Sequence, residues 1–114
     1  MANAFLCKTD TGVGTSPATI ITCPADTETT IIGLSIANIV TSQITVDVIL
    51  DASGRTSGAQ DAVYLVKAAP IPVGGSLVVV GGDQKVVLEP GDIITVTSDT
   101  ATSADVVLSH LDIT

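Results

Sequence analysis

The stretch Pro70–Ser98, PIPVGGSLVVVGGDQKVVLEPGDIITVTS, constrains the fold of this chain more than any other part. Three short apolar runs, Leu77–Val80, Lys85–Leu88 and Ile93–Thr97, are separated by Gly81-Gly82-Asp83 and by Glu89-Pro90-Gly91-Asp92. Glycine supplies positive φ, proline presets φ for a turn, and aspartate bonds its own backbone, so both separators are turns with a mechanism. Short β-branched runs punctuated in this way read as antiparallel strands joined by tight turns.

The same pattern continues upstream. Ala4–Thr9 reads as a strand with Phe5 and Cys7 on one face, followed by the breaker-rich loop Thr11–Pro17. Ala18–Cys23 is a second strand, stopped by Pro24, and a turn at Ala25–Glu28 leads into Thr29–Val40. There Ile32, Leu34 and Ile36 alternate with Gly33, Ser35 and Ala37. Gln43–Asp51 alternates most cleanly, with Ile44, Val46, Val48 and Leu50 on one face and Thr45, Asp47, Ile49 and Asp51 on the other. Those two apolar sets are the expected core.

Asp51–Asp61, DASGRTSGAQD, reads as an exposed loop, Ala62–Ala68 as a strand containing Tyr64, and Asp105–Ile113 as a strand after the small loop Thr100–Ala104. No segment shows helical periodicity. The expectation is all-β: one domain, 1–114, built as a single antiparallel β-sandwich of about eight to nine strands, jelly-roll or immunoglobulin-like, with a closed barrel as the alternative. A chain of 114 residues can bury roughly two-thirds of its unfolded surface as one domain. With one Phe, one Tyr and no Trp, its core must be built from Ile, Val, Leu and Ala.

Twelve acidic residues against four basic ones give a formal charge of −8. Such a surface repels phosphate backbones, so nucleic acid is not an expected partner. No apolar run reaches the length of a membrane span, and residues 1–20 lack the charged start and apolar block of a signal peptide, so no membrane partner and a cytoplasmic origin are expected. In that compartment Cys7 and Cys23 are expected as two reduced, buried thiols.

No motif carries chemistry. Gly12-Val13-Gly14-Thr15-Ser16 lacks the lysine and the following helix that a phosphate-binding loop needs. His110 could be oriented by Asp112 on the same strand face, yet a lone histidine on a strand is more often a packed residue. Cys7, Cys23 and His110 show no paired zinc-ligand spacing, and Asp51, Ser53 and Asp61 match no calcium loop. The scarcity of aromatics argues against a sugar-binding platform. The chain is therefore expected to be non-enzymatic, with no cofactor and no metal.

The strand Asp105–Ile113 is apolar on both sides: Val107, Leu111 and Ile113 on one, Val106 and Leu108 beside His110 on the other. Leu77–Val80 is similarly over-supplied. A sandwich has one inner layer to fill, so the surplus is expected to bury against another subunit, with Val106, Leu108, His110, Val78 and Val80 as interface residues.

The blocks TSPATIITCPADTETTIIGLSIANIVTSQITVDVIL, IPVGGSLVVVGGDQKVVLEPGDIITVTS and SADVVLSHLDI, spanning about Thr15 to Ile113, resemble a group of small virion structural proteins of tailed bacteriophages, of the cyanobacterial and marine type. The resemblance implies a β-sandwich displayed on the virion and assembled in the host cytoplasm. The expected role is a capsid decoration, or cement, protein: a homo-oligomer, trimer favoured, clamping the major capsid protein. The alternatives are a neck, tail or baseplate component, or a host-surface adhesion module using the Asp51–Asp61 loop. No catalytic residues come with the resemblance.

Overall fold

In the computed structural model, residues 3–55, 61–81 and 83–114 are described, and the alternation of β-branched and polar residues resolves there into nine strands and no helix. They are β1 (Asn3–Val13), β2 (Ala18–Thr22), β3 (Glu28–Asn38), β4 (Ile44–Asp51), β5 (Ala62–Ile71), β6 (Ser76–Val80), β7 (Val86–Leu88), β8 (Ile93–Ser98) and β9 (Ala104–Ile113). All pairings are antiparallel. One sheet has the order β1-β9-β3-β6 with β7 also paired to β3, and the other has the order β2-β8-β4-β5. Apart from the β4–β5 hairpin, and with β7 as an added short strand beside β6, successive strands cross between the sheets in the manner of a jelly roll. Gly82 of the expected Gly81-Gly82-Asp83 turn, and residues 56–60 of the expected Asp51–Asp61 loop, lie outside the described residues.

The core lies between the sheets. Ile31, Leu34 and Ile36 of β3 and Val106 and Leu108 of β9 meet Ile44, Val46 and Val48 of β4 and Ile94 and Val96 of β8. Each such side chain contributes about 1.5–3 kcal/mol through burial. Val48 is fully buried. Val48→Ala is expected to cost about 1–3 kcal/mol in chemical denaturation, and a neutral result would place β4 one residue out of register.

Two members of the expected core set differ. Ile32 is half-buried, whereas Ile31 is fully buried. The pairing of β3 with β9 shifts register between Ile31 and Gly33, so one residue of β3 is left over. Such a bulge flips the parity of the strand: Thr29 and Ile31 point inward before it, and Leu34, Ile36 and Asn38 after it. Leu50 is also half-buried, at the end of β4 where the strand runs out towards the Asp51 loop.

β1 continues to Val13, four residues beyond its expected end. Its last turn is held from β9, because the Asp105 carboxylate accepts hydrogen bonds from Thr11 Oγ1 at 2.6 Å and Gly12 N at 3.2 Å. A second side-chain pin fastens the loop after β4 to the turn between β7 and β8. Arg55 donates Nε to Asp92 Oδ1 at 2.8 Å and Nη2 to Oδ2 at 2.6 Å, and the Glu89 N–H donates to the same Oδ2 at 3.0 Å. This close approach needs glycine on both sides. Gly91 has φ +92°, and a Cβ on it would stand 2.9 Å from the Gly54 carbonyl oxygen.

Candidate interaction surface

β1 is the least covered element of the molecule: residues 3–9 are all exposed. Opposed residues of an antiparallel pair share a face. Leu6 and Lys8 pair with the buried His110 and Leu108, so they lie on the inner side, yet Leu6 is still 49% exposed. Phe5, Cys7 and Thr9 pair with Leu111, Ser109 and Val107 on the outer side, and Phe5 is 77% exposed. Residues of both parities are exposed over the first seven residues of β1, so neither of its faces is covered there.

The outer face of the large sheet continues this surface. One cross-strand row runs Phe5, Leu111, Thr30, Val87, and another runs Thr9, Val107, Ser35, Val78. Val78 is 66%, Val87 53% and Val107 40% exposed. Between them the small outward residues of β3 leave a shallow hollow of about 470 Å³, lined by Thr9, Thr11, Ser35, Ala37, Asp105 and Val107.

The structure relocates most of the expected interface. Val106, Leu108 and His110 face inward and are buried, as is Val80, so all four belong to this chain's own core. Val78 alone stays on the outside. The physical reason is parity: β9 is apolar on both faces, and its pairing with β1 and β3 turns the Val106–His110 side towards the second sheet. Sequence reasoning missed Phe5, Leu6, Val87 and Val107 as surface residues. The local pattern holds no signal for Phe5 and Leu6, because an uncovered strand reads the same as a covered one until the sheet order is known.

His110 Nδ1 lies 2.9 Å from Asp112 Oδ1, which also accepts a hydrogen bond from Thr29 Oγ1 at 2.8 Å. The other ring nitrogen, Nε2, is buried and has no hydrogen-bond partner among the described residues. A base needs its nucleophile within hydrogen-bond reach, and among the described residues no hydroxyl or thiol is bonded to either ring nitrogen. In the Asp51 loop, Asp51 Oδ1 caps Ser53 through its N–H at 2.9 Å and its hydroxyl. These bonds hold the Asp51 carboxyl below its ordinary range. Among the described residues no three His, Cys, Asp or Glu side chains are grouped to hold a metal ion.

The cysteines differ from each other. Cys23 is buried, as expected, and its Sγ lies 3.3 Å from the Thr27 carbonyl and 3.6 Å from the Leu88 carbonyl. Burial pushes its thiol pKa up, against the opposing influence of hydrogen bonding with Thr29. Cys7, expected to be buried, is exposed on the outer side of β1. Native protein is therefore expected to release one thiol per chain rapidly to an aromatic disulfide reagent and the second only on denaturation. Two fast thiols would contradict the burial of Cys23.

The arrangement defines an antiparallel jelly-roll sandwich with an open apolar strand and outer face. No family model and no curated protein matches the chain. Among solved structures it is similar to a chain of the Bacillus endospore appendages, which form a novel family of disulfide-linked pili, with a TM-score of 0.51 and 16% identity over 99% of this chain and 87% of that one. At this identity the likeness is one of fold.

Proposed function

We propose that this chain is a non-enzymatic structural subunit that acts by association, and that the particle it joins is a tailed-bacteriophage virion. The observation that carries the proposal is the uncovered β1 together with the apolar outer face of its sheet. Large exposed apolar side chains clustered on one face mark an interaction surface. The residue-level resemblance over Thr15–Ile113 supplies the virion setting, with decoration of the head as the favoured position and the major capsid protein as partner. Binding only to the assembled shell stabilises that shell by mass action.

Basic docking plays little part. Arg55 is committed to Asp92 and Glu89, and Lys67 lies over the Tyr64 ring at 5.0 Å. Contacts made by apolar burial and backbone pairing should outlast exposed ion pairs. Retention on purified expanded heads is therefore expected to persist at 1 M salt, where the Debye length is about 3 Å. Release at that salt would mean charge-driven docking. Imaging of particles tests the proposal itself: many copies over the shell support decoration, a few at one vertex move the subunit to neck, tail or baseplate, and none sinks the virion reading. The fold shared with an appendage chain favours a second reading, a self-assembling fibre. Filaments grown from the purified chain alone would favour it.

A further inference from the structure

The four sheet margins are not alike. β2 is five residues long and lies between Pro17 and Pro24. β5 is interrupted by Ala68 at φ +51°, whose N–H is taken by Asp47 Oδ1 at 2.7 Å, and by Pro70. β6 and β7 share one margin as separate pieces of five and three residues. Prolines, bulges and short pieces are the devices that keep strand edges from pairing with other chains.

β1 has no proline, bulge or break over its first eight residues, and its one protecting feature there is the single inner-side charge of Lys8. Asn3–Asp10 runs in unbroken register with β9, without proline, and the register shifts only after Asp10. One side of this strand is paired with β9, and among the described residues no strand pairs with the other, which leaves its backbone groups at a sheet edge. Its charges, Lys8 and Asp10, cancel, so on a molecule of net charge −8 this segment can approach a copy of itself without repulsion.

We propose that β1 is a self-pairing edge: two copies join through antiparallel β1 strands about a twofold axis, making one continuous sheet across the dimer. This rests on the reading of the chain as an assembling subunit and names its first partner as a second copy. The occupant follows from the margins, since an unprotected edge pairs with another unprotected edge, and on a second copy that edge is β1. Such a pair closes on itself with two copies, and so replaces the trimer expected from sequence.

The register is narrowed as well. A twofold axis normal to the sheet keeps inner faces inner, so the regular segment Asn3–Asp10 admits an axis on Leu6 or on Cys7, and the axis on Cys7 is the one proposed. Cys7 then faces Cys7 of the second copy, and Phe5 faces Thr9 on the same outer side. On the inner side Leu6 faces Lys8, whose aliphatic stem covers it while its ammonium stays in water. Directly opposed Cβ atoms on antiparallel strands stand about 4.5–5.5 Å apart, close to disulfide reach.

The test is the mass and cross-linking of the intact chain. Light scattering at micromolar concentration should give twice 11.4 kDa. Diamide, which takes two electrons and two protons from a thiol pair, should convert the protein to a covalent dimer, and Cys7→Ser should abolish that product. Cys7→Glu sets two carboxylates against each other on an exposed face and should give a monomer with an unchanged circular dichroism spectrum. Cys7→Asp provides a second such variant. A wild-type monomer, a trimer, a dimer that persists in Cys7→Glu, or a dimer that diamide fails to link would each overturn the proposal. A chain that pairs in this way yet never joins a particle would instead sink the virion reading alone.

Discussion

Replacing Arg55 with alanine is expected to lower stability by about 3 kcal/mol at neutral pH, because it strands the fully buried Asp92 carboxylate. The figure is at the low end for breaking a buried ion pair, since the guanidinium is partly open to water and screened. Burial by itself would raise the pKa of Asp92. The Arg55 hydrogen bonds and charge, with the Glu89 N–H, outweigh that and hold the carboxyl below its ordinary range. A group whose folded pKa is depressed contributes fully above the unfolded value, about 3.9, and its contribution is lost as pH falls through the folded value. The wild type should therefore lose this increment only in strong acid. In Arg55→Ala the guanidinium bonds and charge are gone and only the Glu89 N–H still opposes burial, so the deficit should narrow as acidification neutralises Asp92. Urea melts of both proteins at neutral and mildly acidic pH test this. A deficit independent of pH would mean that the cost comes from packing and not from the stranded charge. Arg55→Lys keeps the charge but not the two-pronged geometry and should recover part of the loss.

Leu34→Ala should cost about 2–5 kcal/mol, the combined loss of transfer energy and the cavity left behind. Leu34 is nearly inaccessible and packs in the inner layer of β3. Ile32→Ala removes a comparable side chain two residues away, yet should cost markedly less, because the bulge turns Ile32 out of that layer. Guanidinium denaturation of the two variants side by side decides the matter. Equal losses would show that β3 alternates without a break and that the bulge is absent.

That contrast marks where the sequence was legible. Turn chemistry and β-branched runs placed eight of the strands to within a few residues, since glycine, proline and aspartate act locally and leave their mark in the local sequence. β4 gave its buried face directly, apart from Leu50, because a strand covered on one side alternates visibly. β3 did not, since Ile31 and Ile32 are adjacent isoleucines and only the pairing with β9 decides which of them turns inward. β9 misled for a related reason: a central strand with two apolar faces carries no sign of which face meets the second sheet, so Val106, Leu108 and His110 read as surface. The bareness of Phe5 and Leu6 depends on what lies opposite β1, a property of sheet order that no local pattern holds.

The place of β9 between β1 and β3 also governs when the large sheet can exist. β9 is the last of the nine strands to leave the ribosome, and until it arrives β1 and β3 have no common neighbour. Every ladder in the middle of this sheet closes over a long stretch of intervening chain, which makes folding slow compared with that of locally connected proteins. During the wait β3 is exposed along its entire β9 margin, the condition in which strands pair with the wrong chain. Twelve acidic side chains, spread along the sequence, keep waiting chains apart through that interval. A nascent chain cut short before Ala104 can pair β3 with β6 and β7 but cannot join β1 to them, so only chains that carry β9 reach the state in which β1 is displayed.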